Sequence, residues 1–479
     1  MNRNIFLLSI FITTLAGFSG CKDELSDINK NPNEATVPQP AYLLTSTIRT
    51  ASDQYWGVTN NMGSSLLFVQ HWAMVQYTDP DRYVFTPNSF TSGWSSWYAT
   101  CIAQLKTINS LGEASGNNNY QGVSLVLQAW VYSLLTETYG DIPYSQANSI
   151  TEYLTPVYDS QEDVYKGLLN DLKQAQTLLK VDGPAISGDV IYNGNILNWK
   201  KLANSLRLRL ALRIADRLPA TTQTVINEIQ QEGSGYISSN AENAKLDYQD
   251  APYQNPVYLS FFTRQDYRIS KTIVDKLFEL NDPRLPVYAT PTTIPSTQLY
   301  IGLSNGLTTS EASNIGFDNV SLPGAYFRAV KAPSVIISNA EVLFFLAEAS
   351  SRGFIQDDAA TLYKNAIRAS LGQYGIGTVA TEQYINQPSI TFDPINYKKS
   401  IGEQKWIALF GQGLEAFSEW RRLDYPQLVP AKTGVLGGKI PVRFLYPGTE
   451  QSLNGVNYKA AVSHQGVDAL TTKLWFDVN

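Results

Sequence analysis

Of 479 residues, 42 are acidic and 36 basic, and the net charge of −6 gives no electrostatic footprint for nucleic acid. Two cysteines rule out a disulfide framework or a structural zinc cluster, and two histidines leave almost no material for histidine-rich metal chemistry. The chain is rich instead in aromatic rings, with 28 Tyr, 19 Phe and 9 Trp in a sequence only 16% charged, so rings are to spare for a binding surface.

Residues 1–20 read as an address, not as fold. Arg3 gives a short positive region, Ile5 to Leu15 an apolar run too short to span a bilayer, and Ala16 to Gly20 a stretch of mostly small residues, the order of a secretory signal. Ser19-Gly20-Cys21 resembles a lipoprotein box, so Cys21 is expected to be lipidated and to become the mature N-terminus. Cys21-Lys22-Asp23-Glu24 places acidic residues straight after it, which resembles the signal that sends lipoproteins of certain Gram-negative bacteria to the outer face of the outer membrane. A polar tether is expected over residues 21–40, where Asn31-Pro32-Asn33 and Pro38-Gln39-Pro40 oppose regular structure. No later stretch offers 18 consecutive apolar residues, so a single body spanning residues 41–479 is expected to hang from a multi-acyl anchor.

Helical periodicity appears over Tyr42–Tyr55 and Met62–Tyr77, followed by a loop from Thr78 to Gly93. Trp97–Leu111 and Val123–Tyr139 form the first helical hairpin, stopped at Gly140-Asp141-Ile142-Pro143-Tyr144, where glycine and the pre-proline residue end a helix. Gln161–Leu179 opens behind Asp159 and Ser160 with Glu162 and Asp163 in its first turn, and pairs with Leu197–Arg217. In that last helix Trp199, Leu202, Ala203, Leu206, Leu210 and Ile214 line one face, while Leu208, Leu212 and Ala215 stand nearly opposite. It is therefore expected to be buried on two sides. Arg209, Arg213 and Arg217 recur every four residues along the edge of that core, and structural ion pairs are expected for them in preference to a ligand.

From Gly233 to Arg328 the helical rhythm breaks, with one helix predicted at Lys271–Leu280; a loop of that length inside a domain points to function. Helices return at Asn339–Ser351, Ala359–Leu371, Tyr397–Phe410 and Leu414–Leu423. The pairing suggests tetratricopeptide-like units, though no 34-residue consensus recurs at a fixed period. Gly411-Gln412-Gly413-Leu414-Glu415-Ala416 fits a dinucleotide-binding pattern, but it continues a helical run with no βαβ unit around it and reads as a helix-to-helix corner.

Several stretches together resemble the SusD/RagB family of outer-membrane nutrient-binding lipoproteins. They are Asp27-Ile28-Asn29-Lys30-Asn31-Pro32-Asn33, Gly140 to Tyr144, Trp199-Lys200-Lys201-Leu202-Ala203-Asn204-Ser205-Leu206-Arg207, Glu419-Trp420-Arg421-Arg422-Leu423-Asp424-Tyr425-Pro426 and Ile440-Pro441-Val442-Arg443-Phe444-Leu445-Tyr446-Pro447. The resemblance implies an all-α fold in which about four tetratricopeptide-like helical pairs form a scaffold, with large loop-rich insertions on one face. It also implies a cell-surface protein, not an enzyme and without a cofactor, that captures oligosaccharides, or peptides in some members, for a SusC-like TonB-dependent transporter. The matching motifs sit on the scaffold and so speak for fold and partner, not for ligand.

No H-E-x-x-H, G-x-S-x-G or phosphate-loop pattern is present. Paired acids for a glycosidase exist on paper at Asp79/Asp81, Asp247/Asp250 and Asp357/Asp358, where solvated loop and cap roles are expected instead. A structural lid that never touches substrate is a further alternative. His71 is expected to be a hydrogen-bonded histidine and Cys101 a small core residue. Sugars offer C–H faces that stack on rings and hydroxyls that bind polar side chains, so loops that interleave the two are the right material. Two stretches qualify, Gln76 to Tyr83 with Trp94 shortly after, and Tyr253 through Tyr258, Arg264, Asp266, Tyr267 and Arg268 to Tyr300 and Asn305. Tyr77, Asp81, Arg82, Tyr83, Trp94, Tyr267 and Tyr300 are the predicted ligand-binding group, with no metal ligand among them.

Overall fold

The computed structural model describes residues 38–294 and 299–478. The predicted signal, Cys21 and the Asp27–Asn33 motif lie outside the described residues. Helix α1 (Pro40–Trp56) is followed by α2 (Ala103–Ala114), α3 (Asn118–Tyr139), α4 (Gln161–Leu178), α5 (Ile196–Arg213), α6 (Pro219–Glu232), α7 (Pro256–Thr263) and α8 (Lys271–Glu279). After them come α9 (Asn339–Ser351), α10 (Ala359–Gln373), α11 (Thr378–Ile385), α12 (Tyr397–Ala408), α13 (Gly413–Leu423) and α14 (Gly455–Gln465). Four short strands, β1 (Trp72–Met74), β2 (Ala244–Leu246), β3 (Tyr267–Ile269) and β4 (Ser334–Ile337), pair antiparallel as β1–β3 and β2–β4. The protein is all-α, and α2–α3, α4–α5, α9–α10 and α12–α13 pack as consecutive helical pairs.

Helix caps explain several boundaries. The Ser160 hydroxyl accepts the Asp163 N–H at the start of α4, Asn195 accepts from Asn198 at the start of α5, and Asp358 accepts from Thr361 at the start of α10. Helix α5 ends one turn short of its predicted limit, at Arg213, and every residue from Leu202 to Arg213 is buried.

The predicted helix Met62–Tyr77 is overturned. A π-helical turn (Val58–Ser65) and a short helix (Leu66–Phe68) lead instead into β1. The break falls at Gln70, whose φ of +55° is left-handed, and at His71, whose Nε2 lies 3.0 Å from the Trp406 carbonyl. All three residues of β1 are buried, and a short apolar strand buried on both faces has the same pattern as a turn of buried helix. The segment 233–328 likewise holds more regular structure than predicted, since α7, β2 and β3 join α8 there. The motif Gly411 to Ala416 is the expected corner: Gly411 adopts φ +89°, and Asn61 clasps it by donating to the Gly411 carbonyl at 3.1 Å and accepting the Gly413 N–H at 2.8 Å.

The arginine stripe of α5 lies at the centre. Arg209 binds Glu341 at 2.6 Å and donates to the Ile336 carbonyl at 2.9 Å. Arg213 meets Glu137 at 3.1 Å, Glu415 at 2.7 Å and Glu419. Glu419 also receives Lys405 and Arg422, each at 2.7 Å, and Arg422 grips Glu348, which Arg352 reaches at 2.8 Å. Arg217, past the helix end, donates to the Trp475 carbonyl at 2.7 Å and lies over its ring. Structural pairing is thus the role of all three arginines.

The sequence motifs prove to be joints of this scaffold. Asp141 accepts the Gln161 N–H at 2.8 Å and faces His464 Nδ1 at 2.6 Å, while Trp199 donates its indole N–H to Asp189 at 2.7 Å. Cys101 is a fully buried core residue, and burial pushes its thiol up to about 12.

Removing one member of a buried charge cluster leaves its partners uncompensated. Arg213→Met is expected to cost about 3–5 kcal/mol in urea unfolding, whereas Arg217→Ala, at an exposed site, should cost less than about 1 kcal/mol.

Candidate functional site

The two aromatic-polar stretches are brought into one structure by β1 and β3. Trp72 pairs with Ile269, Ala73 with Arg268 and Met74 with Tyr267, and the ladder continues through the Val75 N–H to the Asp266 carbonyl at 2.8 Å. Beneath it, the rings of Trp72, Phe261 and Tyr267 lie 5.8–6.2 Å apart and form a packed base.

Above this base stands an exposed platform. Tyr77 is 57% exposed and holds φ +52°, a left-handed conformation that is uncommon for a bulky residue. The Arg264 guanidinium sits 4.0 Å from its ring centroid and is fixed from the side by Asp266 at 2.6 Å. The turn carrying Arg264 and Asp266 is anchored by buried Arg268, which donates to the carbonyls of Gln265, Tyr267 and Phe317 at 2.7–3.2 Å. Burial lowers the Arg268 guanidinium to about 10. Helix α7 supplies a second ring: Asn255 caps it by accepting the Val257 N–H at 2.7 Å, Val257 and Phe261 face inward, and Phe262 is left 76% exposed beside Tyr258. Tyr77 with the Arg264 guanidinium over its ring and Asp266 beside that guanidinium, and the exposed Phe262 two residues before Arg264, supply the parts needed to hold a molecule with apolar faces and polar edges.

The seven predicted residues do not form one site. Tyr77 is on the platform, and Tyr300 is half-buried with its ring 6.5 Å from Phe278. Arg82 is partly buried and donates to Thr433 Oγ1 at 2.9 Å. Asp81, Tyr83 and Tyr267 face inward and are buried away from the platform, while Trp94, only 5% exposed, borders a separate cleft. Asp81 accepts N–H groups from Met74 at 3.1 Å, Gly306 at 3.0 Å and the Asn305 amide at 2.7 Å, because a buried carboxylate must be satisfied wherever the chain turns it inward. The Tyr83 hydroxyl accepts the Ala431 N–H at 3.1 Å, Tyr267 belongs to the ring base, and Trp94 packs 4.8–4.9 Å from Tyr98 and Tyr139. Phe262 was not singled out from the sequence, although its apolar place on the outer face of a short helix beside Arg264 was a readable signal.

The paired acids have ordinary partners. Asp247 pairs with Lys245, Asp250 with Lys331 and Asp79 with Arg82, while Asp358 caps α10. Among the described residues no group of three or more His, Cys, Asp or Glu side chains could hold a metal ion, and no helix is long and apolar enough to cross a membrane.

The model of a family described as starch-binding and associating with the outer membrane matches residues 32–447. Among curated proteins none matches. Solved structures similar to this chain include a chitin-binding protein, 30% identical with a TM-score of 0.84, the match covering 92% of this chain and 100% of that one. A chitin-binding SusD homologue from Flavobacterium johnsoniae is 25% identical at a TM-score of 0.81, covering 91% and 99%. A SusD homologue from Bacteroides uniformis is 24% identical at 0.83, covering 91% and 100%, a likeness of fold.

Asp81 makes the loop beneath Tyr77 sensitive to pH. Burial outweighs its three donors and pushes the carboxyl up to about 6 from an ordinary 3.8. A carboxyl raised in the folded state stabilises the fold fully below about pH 4, and that contribution is lost as pH rises through about 6. His71, lowered by burial to about 3, has the opposite sign and is common to wild type and an Asp81 variant, so it cancels in their difference. The stability of wild type relative to Asp81→Asn should therefore rise by up to about 3 kcal/mol between pH 8 and pH 4 in denaturant titrations. A difference that stays flat over that range would contradict a buried, titrating Asp81.

Proposed function

Because this chain belongs to the SusD-like family, whose model it matches over residues 32–447, we propose that it captures an oligosaccharide at the cell surface and hands it to a SusC-like TonB-dependent transporter. The observation that carries the capture reading is the outward Tyr77 ring, backed on one face by Arg264 and open on the other. A sugar ring stacks its C–H face on the open side. Arg264 and Asp266 then meet hydroxyl or acetamide groups at its edge, and Phe262 on α7 offers a further face for the next unit. Cys21 carries the lipid in this reading, which holds the body at the outer membrane, facing the exterior and at high local concentration near the transporter. The function is binding, with no catalytic residue and no cofactor assigned.

The similarity to a chitin-binding protein at 30% identity, and to a second chitin-binding homologue, supports β-linked N-acetylglucosamine oligomers as the ligand class to test first. Their acetamide groups bring one N–H donor, one carbonyl and one methyl per unit, which suits a platform that mixes rings with Asp266 and Arg264.

Calorimetric titration of residues 22–479 with chitohexaose, alongside starch oligosaccharides and mixed peptides, is expected to give binding for chitohexaose and an unchanged ligand afterwards. Tyr77→Ala should weaken it about tenfold, the loss of about 1–2 kcal/mol of ring contact. Binding to peptides alone, or cleavage of the sugar, would overturn the proposal.

A further inference from the structure

A second concave site lies on elements other than those of the Tyr77 platform, between the loop that follows α3 and the short helix Gly448–Leu453. Its floor is aromatic: the Trp94 ring is 4.8 Å from Tyr98 and 6.4 Å from Tyr158, to which it is nearly parallel at 24°. One wall is the segment 147–156, pinned where Asn148 Nδ2 donates to the Tyr98 carbonyl at 2.8 Å and Lys106 Nζ to the Ala147 carbonyl. The other wall is held by Asn454 Nδ2, which donates to the Pro156 carbonyl at 2.8 Å. The cavity, of about 280 Å³, opens into a groove of about 640 Å³ along α2, and the two share Tyr98, Asn148 and Ile150. Together they have the size of a ligand site.

Solvent-facing polar groups line this cleft. The Tyr158 hydroxyl donates to Glu450 Oε2 at 2.6 Å, and Glu450 Oε1 has no partner among the described residues. Asn148 Oδ1 and the Tyr153 hydroxyl are also without protein partners among those residues, while Ile150 and Leu154, 74% and 88% exposed, stand on the rim. A protein seated here would have to bury the Glu450 carboxylate against a core from which charge is normally depleted. A hydrated chain of sugars avoids that cost, since it brings N–H and O–H donors to the acceptors, C–H faces to Tyr98 and Tyr153, and acetamide methyls to Ile150 and Leu154.

From this lining we infer that the cleft is a second, independent binding site for N-acetylated oligosaccharides. Its ligand class rests on the capture reading; its location does not. Two sites on one tethered body would let a long chain be held at two points and rebound from either.

The test is titration of chitohexaose into four proteins: wild type, Tyr77→Ala, Tyr153→Ala/Ile150→Asp, and the variant combining all three. Tyr153 and Ile150 are exposed, so their substitution leaves the fold intact, which circular dichroism verifies. Wild type is expected to bind two equivalents, Tyr77→Ala to retain one, and the residual binding to fall at least tenfold when the cleft substitutions are added. A single equivalent in wild type that Tyr77→Ala abolishes would overturn the second site and leave the capture reading standing. Binding that Tyr77→Ala leaves untouched and the cleft substitutions abolish would do the reverse, keeping the cleft and removing the platform. No binding to wild type would overturn both.

Discussion

The fold depends on a dry cluster of charges. Arg209, Arg213, Arg352, Lys405 and Arg422 meet Glu137, Glu341, Glu348, Glu415 and Glu419, and these ten side chains come from α3, α5, α9 with its C-terminal cap, α12 and α13. Each of the four helical pairs thus contributes at least one helix to it. A cluster of this kind adds little net stability over apolar packing, because desolvation consumes most of the Coulomb gain. Its consequence is register. Arg209 and Arg213 are one turn apart on α5, as Glu415 and Glu419 are on α13, and sliding either helix by a turn would strand a charge in the core.

The same cluster reaches the platform through short, rigid steps. Helix α13, which carries Glu415 and Glu419, begins at Gly413, and Gly413 is clasped by Asn61 in the π-helical turn that leads to β1. Strand β1 is laddered to β3, and the turn before β3 carries Arg264 and Asp266. A side chain at Gly413 would place its Cβ 2.8 Å from the backbone nitrogen of Leu66 as well as 2.5 Å from Asn61 Oδ1, so this joint favours glycine. The loops are irregular, yet they are not loosely attached.

Much of the scaffold was legible in the sequence. The two-sided burial of α5, the pairing role of Arg209 and Arg213, the ends of α9 and the corner at Gly411 all follow from periodicity, charge spacing and caps. The site was legible at the level of stretches and not of residues. Gln76 to Tyr83 and Tyr253 to Arg268 do come together, but Asp81, Tyr83 and Tyr267 point inward and Tyr77 outward. That difference is set by left-handed backbone at Tyr77 and Tyr83 and by Asn305, a partner more than two hundred residues away, and neither leaves a local trace in polarity. The helix wrongly expected over Met62–Tyr77 fails for a related reason, since strand pairing across such a separation overrides an ambiguous local pattern.

Asn305 ties its loop to three other segments at once: it donates to the Trp72 carbonyl at 2.8 Å and to Asp81 at 2.7 Å, and accepts from Ser270 at 2.6 Å. These three bonds hold Trp72, Asp81 and Ser270 in one fixed relation beneath Tyr77. A molecule arriving at Tyr77 would meet a shape already built, and differences between ligands would fall mainly on the dissociation rate. Dwell time, not rate of arrival, is then what separates one ligand from another.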